Sequence, residues 1–476
     1  MYRKKETGQL LLSDFFLPFG GKLNSDNRWV KLSQIIPWDK IEDKYSENFK
    51  GIKGNIALSV RVALGSIIIK EKCGFTDEEL VEQIQENAYL QYFLGYTEFI
   101  NSKPFDPSLM VAFRKRISFI DINELMIEIS TQPNDCDLYK DSDDNSDNDK
   151  PNSGKLIIDA TCTPADIHYP TDLSLLNKCR EKSEEIIDKL FSQVKEKYSV
   201  KPRTYRKNAR RDYLRVEKQR KSSKKSIHNV IRKQLNYVGR DLRIIHDLIE
   251  NGASLSKLSK RQYHDLLVLN EVYRQQLTMF CSCQNSTESR ITSISQPHVR
   301  PVVRGKASAK VEFGAKISVS VISGFCYIEK LDWENFNEGI YLIESIERYR
   351  RQYGCYPEAV LADKIYRNRN NLSFCQEKGI RLSGPKLGRP SKNKIKIEKC
   401  ILKQDEGERN LIESCFGVGK RRFGLGRIMA KLQCTSETVI ALQFLIMNLE
   451  HKLKVLFANF AFVLFYYKIL EFAEFS

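Results

Sequence analysis

The sequence has few histidines, and no two of them stand at zinc-binding spacing. It contains 6 histidines among 476 residues, and its 12 cysteines are scattered. The closest cysteine pair is Cys281 and Cys283, and a C-x-C pair without a second pair or histidines is a weak zinc signal. No secretory n-region, h-region and cleavage site opens the chain. We therefore expect reduced, mostly structural thiols in a cytoplasmic protein.

Long hydrophobic runs are also missing. The most apolar stretch is VLFANFAFVLFYY, which Lys468 ends. A helix needs about 20 apolar residues to span a bilayer, so this stretch is too short. We expect a core helix or a dimerisation surface in the apolar tail at 453–476, and no membrane partner.

Acidic residues are outnumbered by basic ones. The chain has 77 Lys and Arg against 60 Asp and Glu, a formal net charge of +17. Such a balance favours a polyanionic partner, either nucleic acid or an acidic membrane surface. Between Lys201 and Lys233 the chain carries 14 basic residues against two acids. A charge run is usually a solvated face, but one this dense favours contact with a nucleic-acid backbone.

Residues 1–130 are predicted to form a small all-α domain. Apolar residues recur at helical spacing from Val60 onward, and Gly74 is expected to end that helix. Thr76 with Glu79 three residues later predicts a capping box at the start of the next helix. The spacing is equally typical of a dimerisation or packing domain and of a helix-turn-helix-like DNA binder.

The segment 131–154 is acidic, rich in Ser and Asn and nearly free of apolar residues. Because it cannot bury a core, we expect a disordered linker and a domain boundary there. The remainder, 155–452, alternates strands and helices. The predicted order is a strand, a long basic helical insertion at about 172–300, a two-stranded hairpin, a helix, two short strands and two helices. This order predicts an α/β fold with a mixed sheet.

Two aspartates follow buried strand runs. Asp159 ends the apolar run of KLIID, and Asp363 ends that of EAVLAD. Ligands gather at strand ends in α/β sheets, and a buried carboxylate is costly without positive charge. If the two strands are neighbours, the carboxylates lie side by side. Oxygen-only ligands then point to Mg²⁺ or Mn²⁺.

The segment ERNLIESCFGVGKRR is predicted to be a helix that adds a third carboxylate. Arg409, Glu413 and Lys420 fall within about 40° of one another on it, so they share a face. Glu413 can complete a metal site, while Arg409 and Lys420 hold phosphate oxygens. Gly417 and Gly419 weaken the helix. The alternative is that they let DNA approach the backbone closely. For this helix alone, a solvated face with i,i+4 pairing would be the default.

Three carboxylates that hold two divalent ions suit in-line attack at a phosphodiester. On these segments the chain resembles the DDE transposases of bacterial insertion sequences, in the IS-five-like branch. The resemblance rests on LIIDATCTPADIHYPTDLSLLN, EAVLADKIYRNRNN and GERNLIESCFGVGKRRFGLGRI. Residues 50–120 resemble an InsH-type N-terminal transposase domain. The resemblance covers the chain from about 50 to 450.

The resemblance implies an RNase H-like core, Mg²⁺ (or Mn²⁺) dependence, and movement of an element bounded by terminal inverted repeats. Asp159, Asp363 and Glu413 match the catalytic and metal-binding triad. Arg409 and Lys420 match the family's Y-R-E-K signature, in which Glu406 stands where the tyrosine is expected. The partners are then double-stranded DNA with inverted repeats, target DNA, and at least one further copy of the chain. A nucleoid-associated location in a bacterial cytoplasm is expected.

Further phosphate-binding candidates stand outside that signature. Lys207, Arg210 and Arg211 belong to the basic segment, and Arg300 and Arg304 precede the second predicted strand. Two other functions stay open beside an active transposase. One is a nuclease without strand transfer, and the other is a self-regulatory DNA-binding copy that no longer cuts.

Overall fold

The structure is a computed structural model that describes residues 12–17, 20–49, 56–131, 151–303, 311–384 and 396–474. Most of the predicted acidic linker and Arg304 lie outside these ranges. The chain divides into two compact units. The first contains residues 1–163, 316–332 and 336–476, and the second contains 164–315 and 333–335.

The first unit begins with seven short helices: α1 (Arg28–Ile35), α2 (Trp38–Ser46), α3 (Val60–Cys73), α4 (Asp77–Glu86), α5 (Ala88–Phe93), α6 (Leu109–Arg116) and α7 (Phe119–Thr131). The predicted end of α3 and the predicted capping box of α4 are confirmed. Gly74 ends α3 in the left-handed conformation with φ of 76°, where glycine has no Cβ penalty. Thr76 and Glu79 form the capping box of α4.

Six strands form one mixed sheet in the described part of the chain: β1 (Lys155–Pro164), β2 (Arg300–Val303), β3 (Val311–Ile322), β4 (Phe325–Asp332), β5 (Ala359–Leu361) and β6 (Arg381–Leu382). In the first unit the strand order is β4-β3-β1-β5-β6. The pairs β1–β5 and β5–β6 are parallel, and β3–β4 is an antiparallel hairpin. The mixed sheet with its helices confirms the α/β prediction.

Four helices complete the first unit: α12 (Leu342–Tyr353), α13 (Arg369–Glu377), α14 (Lys396–Arg422) and α15 (Gln433–Glu474). Apolar and polar residues alternate along VEFGAKISVSVI, which predicts that β3 is half-buried, but Ser318 and Ser320 on its polar face are fully buried as well. The prediction was wrong because alternation along one strand does not show whether the opposite face is covered.

In SETVIALQFLIMNLE, Ser436 is a cap by residue type, which predicts that the last helix begins directly after it. The start of α15 differs from this prediction. The helix begins at Gln433, and the Ser436 hydroxyl donates back to the carbonyl of Leu432 at 2.9 Å. A serine can satisfy its hydroxyl in this way inside a helix, so its presence does not fix the helix start. Among the described residues, no helix is long and apolar enough to cross a membrane.

The second unit contains the predicted basic helical insertion. Its helices are α8 (Asp172–Val194), α9 (Arg206–Glu217), α10 (Lys224–Glu250) and α11 (Lys260–Ser282). Apolar stripes on α8, α10 and α11 pack together, with Leu176, Ile187 and Leu269 at their centre. Strand β2 and residues 311–315 of β3 also belong to this unit and pair antiparallel.

Candidate active site

The parallel register of β1 and β5 brings the two aspartates together. Ile157 pairs with Leu361, so Asp159 and Asp363 each stand two residues further along neighbouring strands. The adjacency of these strands, which lie some 200 residues apart in the chain, confirms the condition for a shared site. The apolar run ends at Asp159, but β1 itself continues to Pro164, so Asp159 lies within the strand. Asp363 follows β5 and caps a short 3-10 turn, accepting a hydrogen bond from the Lys364 amide at 2.7 Å.

Two ion pairs tie α14 to the same part of the sheet. Lys155, at the start of β1, donates to Glu408 at 2.7 Å. Arg381 of β6 pairs with Asp405. Glu408 and Asp405 lie five and eight residues before Glu413, within about two turns on one helix. They fix the register of α14 against β1 and β6.

Arg409 connects the helix to the strand. Its Nη1 lies 3.4 Å from Asp363 Oδ1, and its Nη2 lies 4.0 Å from Glu413 Oε1. The side chains of Asp363 and Glu413 are 57% and 60% exposed, whereas that of Arg409 is 31% exposed. The guanidinium therefore lies between two carboxylates that solvent reaches.

Asp159 has a different environment from the other two carboxylates. Burial raises the pKa of Asp159, and the charges of Asp363 and Glu338 raise it further. The Ala160 amide, which donates to Asp159 Oδ1 at 2.8 Å, and the charge of Arg409 oppose the rise. Positive charge from outside the protein would therefore be stabilised here.

Sequence reasoning missed Glu338 and Tyr366. Glu338 pairs with Lys316 of β3, and its charge acts on Asp159. Tyr366 is fully buried, and burial raises its pKa; Ser318 opposes the rise, and the charges of Asp159 and Glu338 add to it. No local pattern marks Glu338. For Tyr366 the available signal was its position three residues after Asp363, since it lies in the turn that Asp363 caps.

The side-chain types fit a divalent metal, because all three are carboxylates and Mg²⁺ prefers oxygen ligands. Their arrangement is open. Within the described residues, no three His, Cys, Asp or Glu side chains stand close enough together to hold a metal ion. Glu413 contacts the site through Arg409 instead.

Lys420, the third residue predicted on this helix, also lies on α14. Lys420 lies on the same continuous helix as Arg409 and Glu413, which confirms that the three residues share one helix. The interpretation of Gly419 as an approach point for DNA is wrong. A Cβ there would lie 2.5 Å from Leu425 Cδ1, so the glycine makes room for the side chain of Leu425 and not for DNA.

The remaining phosphate-binding candidates lie in the second unit. Lys207, Arg210 and Arg211 are exposed on α9. Arg300 is engaged internally, because it donates to Glu334 at 2.8 Å and to the Pro297 carbonyl.

Two family models match the chain. The model described as "Transposase DDE domain" matches residues 360–450, which include Asp363 and Glu413. The model described as "Transposase domain (DUF772)" matches residues 18–116. An uncharacterized protein of the nfe locus of Rhizobium meliloti, ORF8, is 29% identical over 160 residues, 33% of this chain and 70% of that protein. No solved structure matches. The two domain matches confirm the prediction of a DDE transposase of insertion sequences.

Proposed function

We propose that this DDE transposase is catalytically active, cutting DNA at terminal inverted repeats and joining the ends to target DNA. One observation carries the proposal. The β1–β5 register brings Asp159 beside Asp363, and Arg409 links Asp363 to Glu413. The pairing thus brings two of the carboxylates together, and Arg409 connects the third to them. The strand order β4-β3-β1-β5-β6 supports an RNase H-like core around them.

In this proposal Asp159, Asp363 and Glu413 bind Mg²⁺ or Mn²⁺. Two such ions would activate a water or a DNA 3′-hydroxyl and stabilise the leaving oxygen. The protein's own residues position the substrate. Arg409, already directed at the carboxylates, would donate bidentately to two phosphate oxygens, and Lys420 would act as a point charge.

The basic helix α9 of the second unit would also bind DNA. Its exposed Lys207, Arg210 and Arg211 would neutralise phosphates without reading sequence, and each contact contributes to salt-dependent affinity. Two ends must be cut in one complex, so we expect a homodimer or a higher oligomer on DNA.

The test uses end-labelled DNA that flanks the gene, with purified protein and Mg²⁺ or Mn²⁺. EDTA and the Glu413→Gln variant are the controls. Cuts at a terminal inverted repeat that need metal and are lost in Glu413→Gln are the expected result. Glu413 is 60% exposed, so its replacement should leave folding and DNA binding intact.

A second candidate is a DNA-binding protein that no longer cuts. It is favoured by one observation, that no metal-competent cluster of three such side chains occurs in the described residues. Tight DNA binding without cuts under either metal would support this candidate and would refute the first.

A further inference from the structure

A groove of about 500 Å³ lies in the first unit, away from the three carboxylates. It is lined by the end of α3 and start of α4, by α6, by the loop after α14, and by α15. A volume of this size is typical of small-ligand sites. The catalytic role of the carboxylates does not use it.

One residue that lines this groove carries a buried polar atom without a hydrogen-bond partner among the described residues. Gln443 on α15 lines the groove and is 3% exposed. Its Oε1 has no hydrogen-bond partner among the described residues. The orientation of the amide follows from Glu71, whose carboxylate accepts a hydrogen bond from Gln443. The nitrogen must point to Glu71, which leaves the oxygen as an unused acceptor. Such a buried acceptor costs about 1–3 kcal/mol unless a ligand supplies a donor.

The rim of the groove is basic. Asp77 is fully engaged, because Lys70 lies at 2.8 Å and Arg114 donates to both of its oxygens at 3.0 and 2.8 Å. The lysines Lys115 and Lys431 are exposed on the rim. Lys70 and Arg114 therefore already neutralise Asp77. The positive charges of Lys115 and Lys431 can then attract the phosphate of a ligand.

Apolar side chains line the same groove. Phe75 is half-buried there, and Met429 and Val111 are 62% and 49% exposed. An aromatic ring and flexible apolar side chains suit the flat faces of a nucleic-acid base.

The groove starts close to the catalytic helix. Gly424, two residues after the end of α14, is its first lining residue on this side. Glu413 and Arg422 are nine residues apart on that helix, a rise of about 14 Å. A DNA strand in the candidate active site could therefore reach the groove within a few nucleotides.

We propose that this groove binds one unpaired nucleotide, whose base donates an N–H to Gln443 Oε1 and whose phosphate contacts Lys115 and Lys431. The inference rests on the proposed function for the source of the nucleotide, a strand of the DNA being processed. The base must be unpaired, because a duplex keeps it stacked and out of a buried acceptor's reach. Every unpaired base can donate such an N–H, from an exocyclic amino group in adenine and cytosine and from N3 in thymine.

The first experiment measures fluorescence anisotropy of labelled single-stranded 12-mers, oligo(dA) and oligo(dT), and of a duplex. The salt dependence of binding is compared for the wild type, Lys115→Gln and Lys431→Gln. Lys257→Gln, which removes an exposed lysine in the second unit, is the matched control. On single strands the log–log salt slope should fall by about 0.7 for each groove lysine removed. The duplex slope and the control should not change.

The second experiment replaces the acceptor. Gln443→Met keeps the length of the side chain and removes the oxygen, so the affinity for both single-stranded 12-mers should fall by about fivefold, the effect of one hydrogen bond, while the affinity for the duplex stays unchanged. Thermal melting checks that the Gln443→Met variant folds. If it does not fold, the salt slopes of the lysine variants test the proposal. Displacement of the oligonucleotide by dAMP alone would identify a free nucleotide as the ligand, and failure of dAMP to compete would identify the DNA strand.

Unchanged slopes in both lysine variants would overturn the inference. So would a shift in oligomeric state without a change in slope, because the groove would then receive a second copy of the chain. The proposed function is judged separately. If the wild-type protein cuts DNA and the groove variants bind single strands as the wild type does, only the proposed nucleotide binding by the groove is refuted. Wild-type protein that binds through the groove but never cuts refutes only the catalytic proposal.

Discussion

Asp241 in the second unit gives the sharpest test of the electrostatics. It lies on α10, is fully buried, and accepts a hydrogen bond from Ser183 of α8 at 2.9 Å. Its other oxygen, Oδ1, has no partner within the described residues. Burial raises the pKa of Asp241 from 3.8 to about 7; Glu184 adds to the rise, and Ser183 and Arg180 oppose it. The folded protein therefore keeps this carboxyl protonated at a pH where the unfolded chain has lost the proton.

The sign follows from that difference. The stabilising contribution is fully present below about pH 4, falls as the pH rises toward about 7, and stays lost above it. The gap between 3.8 and about 7 corresponds to on the order of 4 kcal/mol. Asp241→Asn removes the titration. The free energy of unfolding of the variant minus that of the wild type should therefore rise by about this amount from pH 4 to pH 8.

Hydrogen exchange of the α8 and α10 amides measures the effect within the second unit. Wild type and variant are compared at the same pH, so that the intrinsic exchange rates cancel. Ser183→Ala is a useful companion, because it removes the hydrogen bond from Asp241 and should raise the pKa of Asp241 further. A difference between wild type and Asp241→Asn that stays constant from pH 4 to pH 8 would refute the reasoning.

Two further predictions concern α14. Arg409→Gln should lower the rate of metal-dependent cleavage by about 10²-fold, the cost of one preorganised donor. The free energy of unfolding should change by less than about 1 kcal/mol, because the ion pairs of Arg409 are partly exposed. An unchanged rate of single-turnover cleavage would contradict this prediction. Ile412→Ala should destabilise by about 2–5 kcal/mol, because Ile412 is fully buried. The neighbouring Leu411→Ala is the matched control, since Leu411 is 57% exposed and should change stability by only about 0.5 kcal/mol; equal losses in a denaturant titration would show that burial does not govern stability at these two positions.

Local signals in the sequence were sufficient for most helices and for the hairpin. The capping box at Thr76 and the left-handed Gly74 were predicted because both depend on residues within one turn. The β3–β4 turn follows the same rule, since Ser323 and Gly324 both have positive φ, 50° and 86°, as a two-residue hairpin loop requires.

Predictions that depended on packing were less successful. Ser318 and Ser320 alternate with apolar residues, yet both are buried, because what covers the second face of β3 is not written in β3. Ser436 is a good cap by type, but the helix begins earlier, and the serine bonds back to Leu432 instead. Residue type gives a preference, and the surrounding structure decides between the alternatives.

The sequence by itself determined which residues could form the site. Asp159, Asp363 and Glu413 each stand at the end of an apolar run or on a helix face, and these are local properties. Only the tertiary structure decided that β1 pairs with β5 in the register that brings the aspartates together, and that Arg409 reaches Asp363. The nucleotide groove depends on tertiary structure entirely, because its acceptor Gln443 is an ordinary residue of an apolar helix until α3, α6 and the loop after α14 surround it. Periodicity reports on neighbours a few residues away, whereas a site joins residues hundreds of positions apart through contacts that no local pattern records.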